Sequence, residues 1–145
     1  MSIRKIKSKK DLEIVLQSLE IFSNPKPHLE QYSTPSSAAA TLLWKAYMDG
    51  EIFEKVVYDL GCGTGILSIG AMLLGARKVV GVDLDADALR IARKNALRLG
   101  VNVSFVREDV KDLEARADVV VQNPPFGSQR KGNDRIFIEK SLEIA

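Results

Sequence analysis

The chain has 145 residues, of which 46% are hydrophobic, and a formal net charge of +2. This size and composition predict one domain, residues 1–145, and the charge is too small to indicate nucleic-acid binding by itself. One cysteine, Cys62, excludes an internal disulfide, and His28 is the one histidine, so no metal site is expected. No signal segment or run of eighteen apolar residues occurs, and we expect an intracellular, cytoplasmic protein.

The first fifty residues predict a helical extension. A capping box at Ser8 and Asp11 begins a helix that ends before Asn24. Its apolar face comprises Leu12, Val15, Leu16, Leu19 and Phe22. A polar loop leads from there to a second helix, Ala38 to Met48. We assign residues 1–50 to this extension and residues 51–145 to an α/β core.

The core begins with a short apolar strand pattern, residues 56–60, that runs into glycines at 61, 63 and 65. An apolar helical run, Ile66 to Leu74, follows. A strand that turns into a helix through glycines offers backbone N–H groups to a nucleotide-like ligand. Ile66 occupies the place of the third glycine in the dinucleotide fingerprint, so that pattern fails. The carboxylate of Asp59 would repel a pyrophosphate and attract a cation, which favours a ligand with an amine end. S-adenosylmethionine has an amine, and it has no phosphate.

The pattern Asp-x-Gly-x-Gly-x-Gly resembles the first motif of the class I S-adenosylmethionine-dependent methyltransferases. The resemblance implies that S-adenosylmethionine binds at this loop. The residues concerned are Asp59, Gly61, Cys62, Gly63, Thr64 and Gly65.

Strand and helix patterns alternate along the rest of the chain. The predicted strands are Lys78–Asp83, Val103–Val106 and Ala117–Val121, and the predicted helices are Asp85–Leu99 and Arg135–Ala145. Such alternation predicts a Rossmann-like α/β fold with a parallel sheet and right-handed crossovers.

Two further carboxylates follow predicted strands. Asp83, eighteen residues after Gly65, has the spacing of an acid that binds ribose hydroxyls, although it could instead cap the helix from Asp85. Asp109 matches the third motif of the methyltransferases, in which an acid accepts from the adenine amino group, or it is an ordinary turn aspartate. We assign the adjacent Leu84 and Val110 to the same cofactor site.

The fourth strand is followed by Asn123-Pro124-Pro125-Phe126. Two prolines place this stretch just past the carboxyl end of the strand, where α/β sheets bind ligands. The side-chain oxygen of Asn123 and the carbonyl of Pro124 would accept from an NH₂ group, which turns its lone pair toward a methyl donor. Phe126 would stack on a planar substrate. The alternative is a double-proline turn with a core phenylalanine.

This motif resembles that of the amino-methyltransferases, which act on N6 of adenine or N5 of glutamine, and phenylalanine in the fourth place is typical of adenine enzymes. The chain looks most like the small archaeal and eukaryotic family that methylates adenine in ribosomal RNA. That resemblance implies that Gln31, Tyr32 and Thr34 close over the methionine end of the cofactor. It also implies that Arg130, Lys131 and Arg135 meet RNA phosphates.

The class I sheet has seven strands in the order 3-2-1-4-5-7-6, and this sequence supplies the first four, in the expected order 3-2-1-4. The cofactor half is therefore present, and activity of the chain alone is open. Two other functions stay open: a protein glutamine N5-methyltransferase, and a truncated cofactor-binding or interaction module without activity.

Both outer strands of such a sheet expose unpaired backbone groups. The family resemblance implies a small zinc-binding activator subunit that adds a strand along residues 102–106. The other edge, residues 117–121, carries three consecutive valines and predicts self-association.

Overall fold

The computed structural model of the chain describes residues 6–21, 34–122 and 133–145, and within the last range it describes side chains from Glu139 onward. The elements are α1 (Lys9–Gln17), α2 (Ser36–Met48), β1 (Val56–Leu60), α3 (Ile66–Leu73), β2 (Lys78–Asp83), α4 (Ala86–Leu99), β3 (Ser104–Arg107), a 3₁₀ turn (Val110–Asp112), β4 (Val119–Gln122) and α5 (Asn133–Ile144).

The four strands form one parallel sheet in the order β3-β2-β1-β4, as the sequence predicts. Leu60 at the end of β1 pairs with Val82 in β2 and with Gln122 in β4. Because all strands run the same way, the ends of β1, β2 and β4 meet at one edge of the sheet, where ligands of open α/β sheets bind.

One face of the sheet packs against the N-terminal helices. Val57, Val79 and Val121 are buried in a core that they share with Leu12 and Leu16 of α1. Leu43 of α2 and Ile69 of α3 belong to the same core. Helices α1 and α2 therefore close the main hydrophobic core.

The other face of the sheet packs against the 3₁₀ turn and the end of α5. Leu60, Val80 and Val82 bury their side chains with Val110, Leu113 and Ile144. The Lys140 ammonium, almost fully buried, donates to the carbonyl oxygen of Leu113 at 2.8 Å. The end of α5 is thus fixed beside the turn that follows β3.

The element types are as predicted, and several bounds differ. The predicted cap of α1 is present, since Ser8 Oγ accepts from the Asp11 N–H at 3.1 Å, but the helix ends at Gln17. There the Ser18 hydroxyl donates to the carbonyl of Val15 at 2.6 Å, which competes with the helical pattern. Leu19 is buried beyond the helix end, and Phe22 lies outside the described residues.

The outer strands and the second helix are shifted by one or two residues from their predicted bounds. Strand β3 begins at Ser104 instead of Val103, and β4 begins at Val119 instead of Ala117. The Ala117 N–H donates to the carbonyl of Ile144 at 2.8 Å, so this residue bonds to α5 instead of to the sheet. Helix α2 starts at Ser36, because the Ala39 N–H already bonds to the Pro35 carbonyl.

Among the described residues, the helices are too short or too polar to cross a membrane. The same ranges contain no group of three or more His, Cys, Asp or Glu side chains arranged to hold a metal ion.

Candidate active site

The glycine loop, residues 61–65, joins β1 to α3 at the carboxyl edge of the sheet. Its three glycines have positive φ angles of 75°, 55° and 94°, a conformation that side chains disfavour. The N–H groups of Gly61 and Cys62 both donate to the Val82 carbonyl, at 2.8 and 2.9 Å. A Cβ atom at Gly65 would lie 3.2 Å from Ala92 of α4. The loop therefore needs glycine for its backbone angles and for its close packing on α4.

Asp59, the last residue but one of β1, is a buried carboxylate that is 1% exposed. Its Oδ2 atom accepts from the Ser68 hydroxyl at 2.7 Å, and its Oδ1 atom has no partner in the described part of the chain. Burial raises the pKa of Asp59 to about 7, helped by the charge of Asp83 and opposed by the Ser68 hydrogen bonds. A buried oxygen without a donor is unfavourable unless a ligand supplies one. This is the position at which the sequence predicts an amine.

Asp83 ends β2 and uses both carboxylate oxygens. Oδ2 accepts from the Gly63 N–H at 2.8 Å, and Oδ1 accepts from the Asp85 N–H at 2.9 Å. Burial raises the pKa of Asp83 above its ordinary value, against the effect of these backbone donors. The N-cap of α4 is Asp85, whose Oδ1 accepts from the Asp87 N–H at 3.0 Å, and Asp83 bonds to the backbone of that cap residue. Its ribose role stays a prediction.

The remaining predicted contacts on the cofactor side differ in exposure. The Leu84 side chain is 44% exposed next to Asp83, which leaves an apolar surface at the ligand edge. Cys62 is buried, and burial raises the pKa of its thiol well above the ordinary range. Thr64 is also buried, at 6% exposure.

Asp109 and Val110 lie where β3 leads into the 3₁₀ turn. Asp109 Oδ1 accepts from the Lys111 N–H at 3.0 Å and caps that turn, which agrees with the turn alternative for this residue. Val110 is buried against the second face of the sheet. Its second carboxylate oxygen, Oδ2, lies 4.0 Å from the Lys111 ammonium, and contact of Asp109 with adenine stays a prediction.

Of the predicted residues on the methionine and substrate sides, most lie outside the part of the chain that the structure describes. Thr34 is half-buried just before α2. The predicted residues Gln31, Tyr32, Asn123, Pro124, Pro125, Phe126, Arg130 and Lys131 lie outside the described residues, and the Arg135 side chain is not described. The motif at 123–126 follows Gln122 directly, and Gln122 is paired with Leu60 at the carboxyl edge.

Two polar residues that the sequence analysis missed support this site. Ser68 of α3 is fully buried and holds Asp59. Asn95 of α4 is 1% exposed, and its side-chain NH₂ donates to the Thr64 carbonyl at 3.0 Å. Both interrupt otherwise apolar helix faces, which is the sequence signal by which such residues can be found.

The family profile described as ribosomal protein L11 methyltransferase (PrmA) matches residues 42–124, more than half of the chain. This range includes the glycine loop, Asp59, Asp83 and Asp109. It begins within α2 and omits α1.

Three similar proteins extend the comparison. The rRNA N(6)-adenosine-methyltransferase Mettl5 of Drosophila melanogaster is 43% identical over 142 residues, which cover 92% of this chain and 67% of the relative. The crystal structure of Pyrococcus horikoshii PH1948, described there as a candidate RNA methyltransferase, is 48% identical with a TM-score of 0.90, over 96% of this chain and 69% of that one. A candidate protein N5-glutamine methyltransferase of Methanocaldococcus jannaschii, MJ0928, is 36% identical over 70% of this chain and 50% of the relative.

The parallel sheet, the glycine loop with its two strand-end carboxylates, and these matches define one class of protein. The chain belongs to the class I S-adenosylmethionine-dependent methyltransferases. It spans about two thirds of the length of Mettl5 and of PH1948. The predicted family, fold and cofactor are thereby confirmed.

The described residues fit this cofactor. The unpartnered oxygen of Asp59 suits the ammonium of its methionine part, and the glycine loop permits close approach of the backbone. Asp83 lies beside that loop, within hydrogen-bond distance of Gly63. The exposed Leu84 offers an apolar surface for a nucleoside.

Proposed function

We propose that this chain is an RNA N6-adenine methyltransferase that acts on structured RNA, with ribosomal RNA as the substrate. The observation that carries the proposal is the extent of the match to Mettl5, which covers 92% of the chain and so includes most of α1 and α2. The profile of the protein-modifying L11 enzymes matches only residues 42–124. The sequence that forms the N-terminal helices, which close the main core beside the cofactor loop, is thus largely included in the match to the RNA enzyme.

The cofactor contacts follow from the strand ends. Asp59 receives the ammonium on Oδ1 while Ser68 holds Oδ2, and Asp83 receives the ribose hydroxyls while it holds Gly63. Asp109 accepts a hydrogen bond from the adenine amino group, Val110 contacts the adenine beside it, and Leu84 packs on the nucleoside. Gln31, Tyr32 and Thr34 close over the methionine end. S-adenosylmethionine supplies an electrophilic methyl group on a sulfonium.

The substrate contacts are assigned to residues 123–126. The Asn123 side-chain oxygen and the Pro124 carbonyl accept from the adenine NH₂, and this turns the nitrogen lone pair toward the methyl group. Pro125 keeps the Pro124 backbone extended, since a residue before proline avoids helical angles. Phe126 stacks on the base, which is flipped out of its RNA stack. Asn123 removes no proton in this scheme, since the nitrogen becomes cationic on methylation and loses its proton readily.

A protein glutamine is the second candidate substrate. Its support is the 36% identity to the candidate N5-glutamine methyltransferase MJ0928, which covers 70% of this chain. An amide NH₂ and an adenine NH₂ are both planar and conjugated, so the same two acceptors serve either one. The third candidate, a cofactor-binding module without activity, is kept as an outcome of the assay below.

We assign two kinds of macromolecular contact to this enzyme. Arg130, Lys131 and Arg135 lie close in sequence to the Asn-Pro-Pro-Phe motif and are assigned to RNA phosphates, where cations supply affinity. The β3 edge is assigned to a small zinc-binding activator subunit that adds a strand, since β3 is an outer strand of the described sheet. A ribosomal RNA substrate also supports a cytoplasmic location.

Methyl transfer to total RNA and to total protein separates the candidate functions. Incubation with labelled S-adenosylmethionine should label RNA, and nuclease digestion should release labelled N6-methyladenosine. Label that enters protein alone would assign the glutamine function. Binding of S-adenosylhomocysteine by calorimetry without label in either pool, with the activator subunit supplied, would assign the inactive module.

The Asn123→Ala variant tests the catalytic motif. We expect a methylation rate lower by about 100-fold or more with cofactor affinity near wild type, because the lost acceptor acts mainly in the transition state. Single-turnover rates and calorimetry measure the two effects separately. Loss of cofactor binding with an unchanged rate per bound enzyme would contradict this role.

A further inference from the structure

Asn95 joins three separate parts of the molecule through one buried amide. It lies on α4, and its side-chain NH₂ donates both to the Thr64 carbonyl in the glycine loop, at 3.0 Å, and to the Glu20 carbonyl, at 2.9 Å. Its Oδ1 accepts from the Glu20 N–H at 2.9 Å. A primary amide has two N–H donors and one carbonyl acceptor, and here each has a partner.

The two hydrogen bonds between the Asn95 amide and Glu20 resemble those between two backbone peptide groups. Both the N–H and the C=O of Glu20 bond to the same side chain, so Asn95 recognises the backbone of residue 20 and not its side chain. The stretch 18–20, which we call the N-terminal segment, follows the end of α1. The Arg98 side chain also donates to the Ser18 carbonyl, and Lys94 pairs with the Glu20 carboxylate at 3.5 Å. One face of α4 therefore holds the whole segment.

The third bond of Asn95 acts on the glycine loop. The Thr64 carbonyl belongs to the peptide plane shared with Gly65, whose N–H donates to the Cys62 carbonyl at 2.9 Å. Asp83 holds the neighbouring Gly63 N–H. The loop is thus held by a carboxylate on one side and by the Asn95 amide on the other. Rotation of the Thr64–Gly65 peptide would break the Asn95 bond and move the Gly65 N–H.

We infer that Asn95 is a positioning residue that couples the N-terminal segment to the cofactor loop, so that cofactor binding and the order of this segment support each other. The inference rests on the proposed function for its ligand. Because one amide makes all three bonds, a shift of the segment pulls on the Thr64 carbonyl, and a loop fixed by ligand holds the segment. The N-terminal segment contributes in this way to affinity through Asn95.

Two substitutions of Asn95 separate its donor and acceptor roles. Asn95→Asp keeps the acceptor for the Glu20 N–H, loses both donors and places a carboxylate against two carbonyl oxygens. Asn95→Ala removes all three bonds. We expect S-adenosylhomocysteine to bind about tenfold more weakly to both variants, as when a buried hydrogen-bonded group loses its partner. Glu20→Ala is the matched control, since it removes the Lys94 ion pair and leaves the backbone bonds, and its affinity should stay within about twofold of wild type.

Hydrogen exchange of the Glu20 backbone amide tests the coupling directly. If Asn95 only stabilised the fold, ligand binding would not change the exchange rate of this amide. In the wild-type chain, saturating S-adenosylhomocysteine should slow this exchange at least about fivefold, because opening of the segment then requires distortion of a ligand-bound loop. In Asn95→Ala the amide should exchange faster and should no longer respond to ligand. Glu20→Ala should keep the response.

The experiment begins with calorimetry of the wild-type chain with S-adenosylhomocysteine, which tests the proposed cofactor separately. If wild-type binding is absent, the proposed function fails. If the wild type binds and the Glu20 amide exchanges at the same rate with and without ligand, the coupling is refuted, and this measurement needs no variant to fold. Folded Asn95 variants with wild-type affinity would refute it equally. Weaker binding together with loss of the exchange response confirms it.

Discussion

Asp59 makes the site sensitive to pH. Its pKa of about 7 in the folded chain is far above the ordinary value of 3.8, because burial disfavours the charged form. The folded state therefore holds a proton that the unfolded chain releases, and the free energy of unfolding should fall as pH rises from about 4 to about 7. Urea titrations at several pH values measure this slope. Asp59→Asn should lose the part of the slope that Asp59 contributes, and Asp83, whose pKa burial also raises, should keep the rest.

Cofactor affinity should show the opposite dependence. In the proposed site the ammonium of S-adenosylhomocysteine pairs with ionised Asp59, so binding below pH 7 must first expel a proton. We expect the association constant to rise by up to about tenfold per unit as pH increases from about 5.5 to about 7. Calorimetry in two buffers of different ionisation enthalpy would detect the proton released. Affinity independent of pH would remove Asp59 from the ammonium site.

Asp83 carries a second prediction. Asp83→Ala should weaken S-adenosylhomocysteine binding by roughly 1–3 kcal/mol, since a charged acceptor to a hydroxyl contributes about that much. The variant also frees the N–H groups of Gly63 and Asp85. Binding of 2′-deoxy cofactor analogues gives the control, because the variant should lose the preference for the ribose analogue. An unchanged dissociation constant would separate Asp83 from the cofactor.

Residues such as Asp59 and Asp83 can be predicted because a carboxylate at a strand end beside glycines is a local pattern. Ser68 and Asn95 cannot be assigned that way. Their side-chain hydrogen bonds join residues that lie 9, 31 and 75 positions apart in the sequence. Which residues meet depends on how α3 and α4 pack against the glycine loop. The sequence shows only that a polar residue interrupts an apolar face.

The packing of β2 against β3 affects the cofactor site through Ser68, the residue that bonds to Asp59. A Cβ atom at Gly81 would lie 2.7 Å from the Phe105 ring and 2.9 Å from Ser68 Oγ. Gly81→Ala should therefore lower the free energy of unfolding by about 1–3 kcal/mol, as overpacking in a core does. It should also weaken cofactor binding, because Ser68 is displaced from Asp59.

A compensating variant controls for this interpretation. Phe105→Leu removes the ring that the added methyl group meets, so Gly81→Ala/Phe105→Leu should be more stable than the sum of the single changes predicts. Denaturant unfolding of all four proteins measures the coupling. Strict additivity would mean that the clash with Phe105 is not the cause.

Element types were predictable because the strands are short apolar runs and α4 has its own caps, Asp85 and Gly100. Element ends depended on contacts that are remote in sequence. Helix α1 ends five residues before Phe22 in the chain, with Leu19 still buried, and β4 starts late because Ala117 bonds to Ile144. A periodic apolar pattern locates a buried face, but it does not reveal where an extended segment replaces a helix.

At the scale of the whole molecule, the β4 edge predicts self-association. The end of α5 packs on the face beside β4, and within the described sheet β4 pairs only with β1. Three valines and no charge within Val119–Val121 leave that edge open to pairing. We expect dimers or larger species at tens of micromolar in sedimentation, and we expect Val120→Lys to reduce them.

Val106→Lys on the β3 edge is the matched control, and it should leave self-association unchanged. It should instead impair strand addition by an activator subunit. A monodisperse wild-type monomer whose solubility does not respond to Val120→Lys would show that the β4 edge is covered in solution.

The pairing of β1 with β4 can form only late in the synthesis of the chain. Asp118 bonds to the backbone of Val56 in both directions, at 2.8 and 2.9 Å, although the two residues lie 62 positions apart. A ribosome that adds roughly 5–20 residues per second leaves this side of β1 without its neighbour for several seconds. By the end of that interval β1, the glycine loop, β2 and β3 have all been synthesised. These three strands can therefore pair before β4 joins the sheet, and early ligand binding at the glycine loop would protect the exposed side of β1.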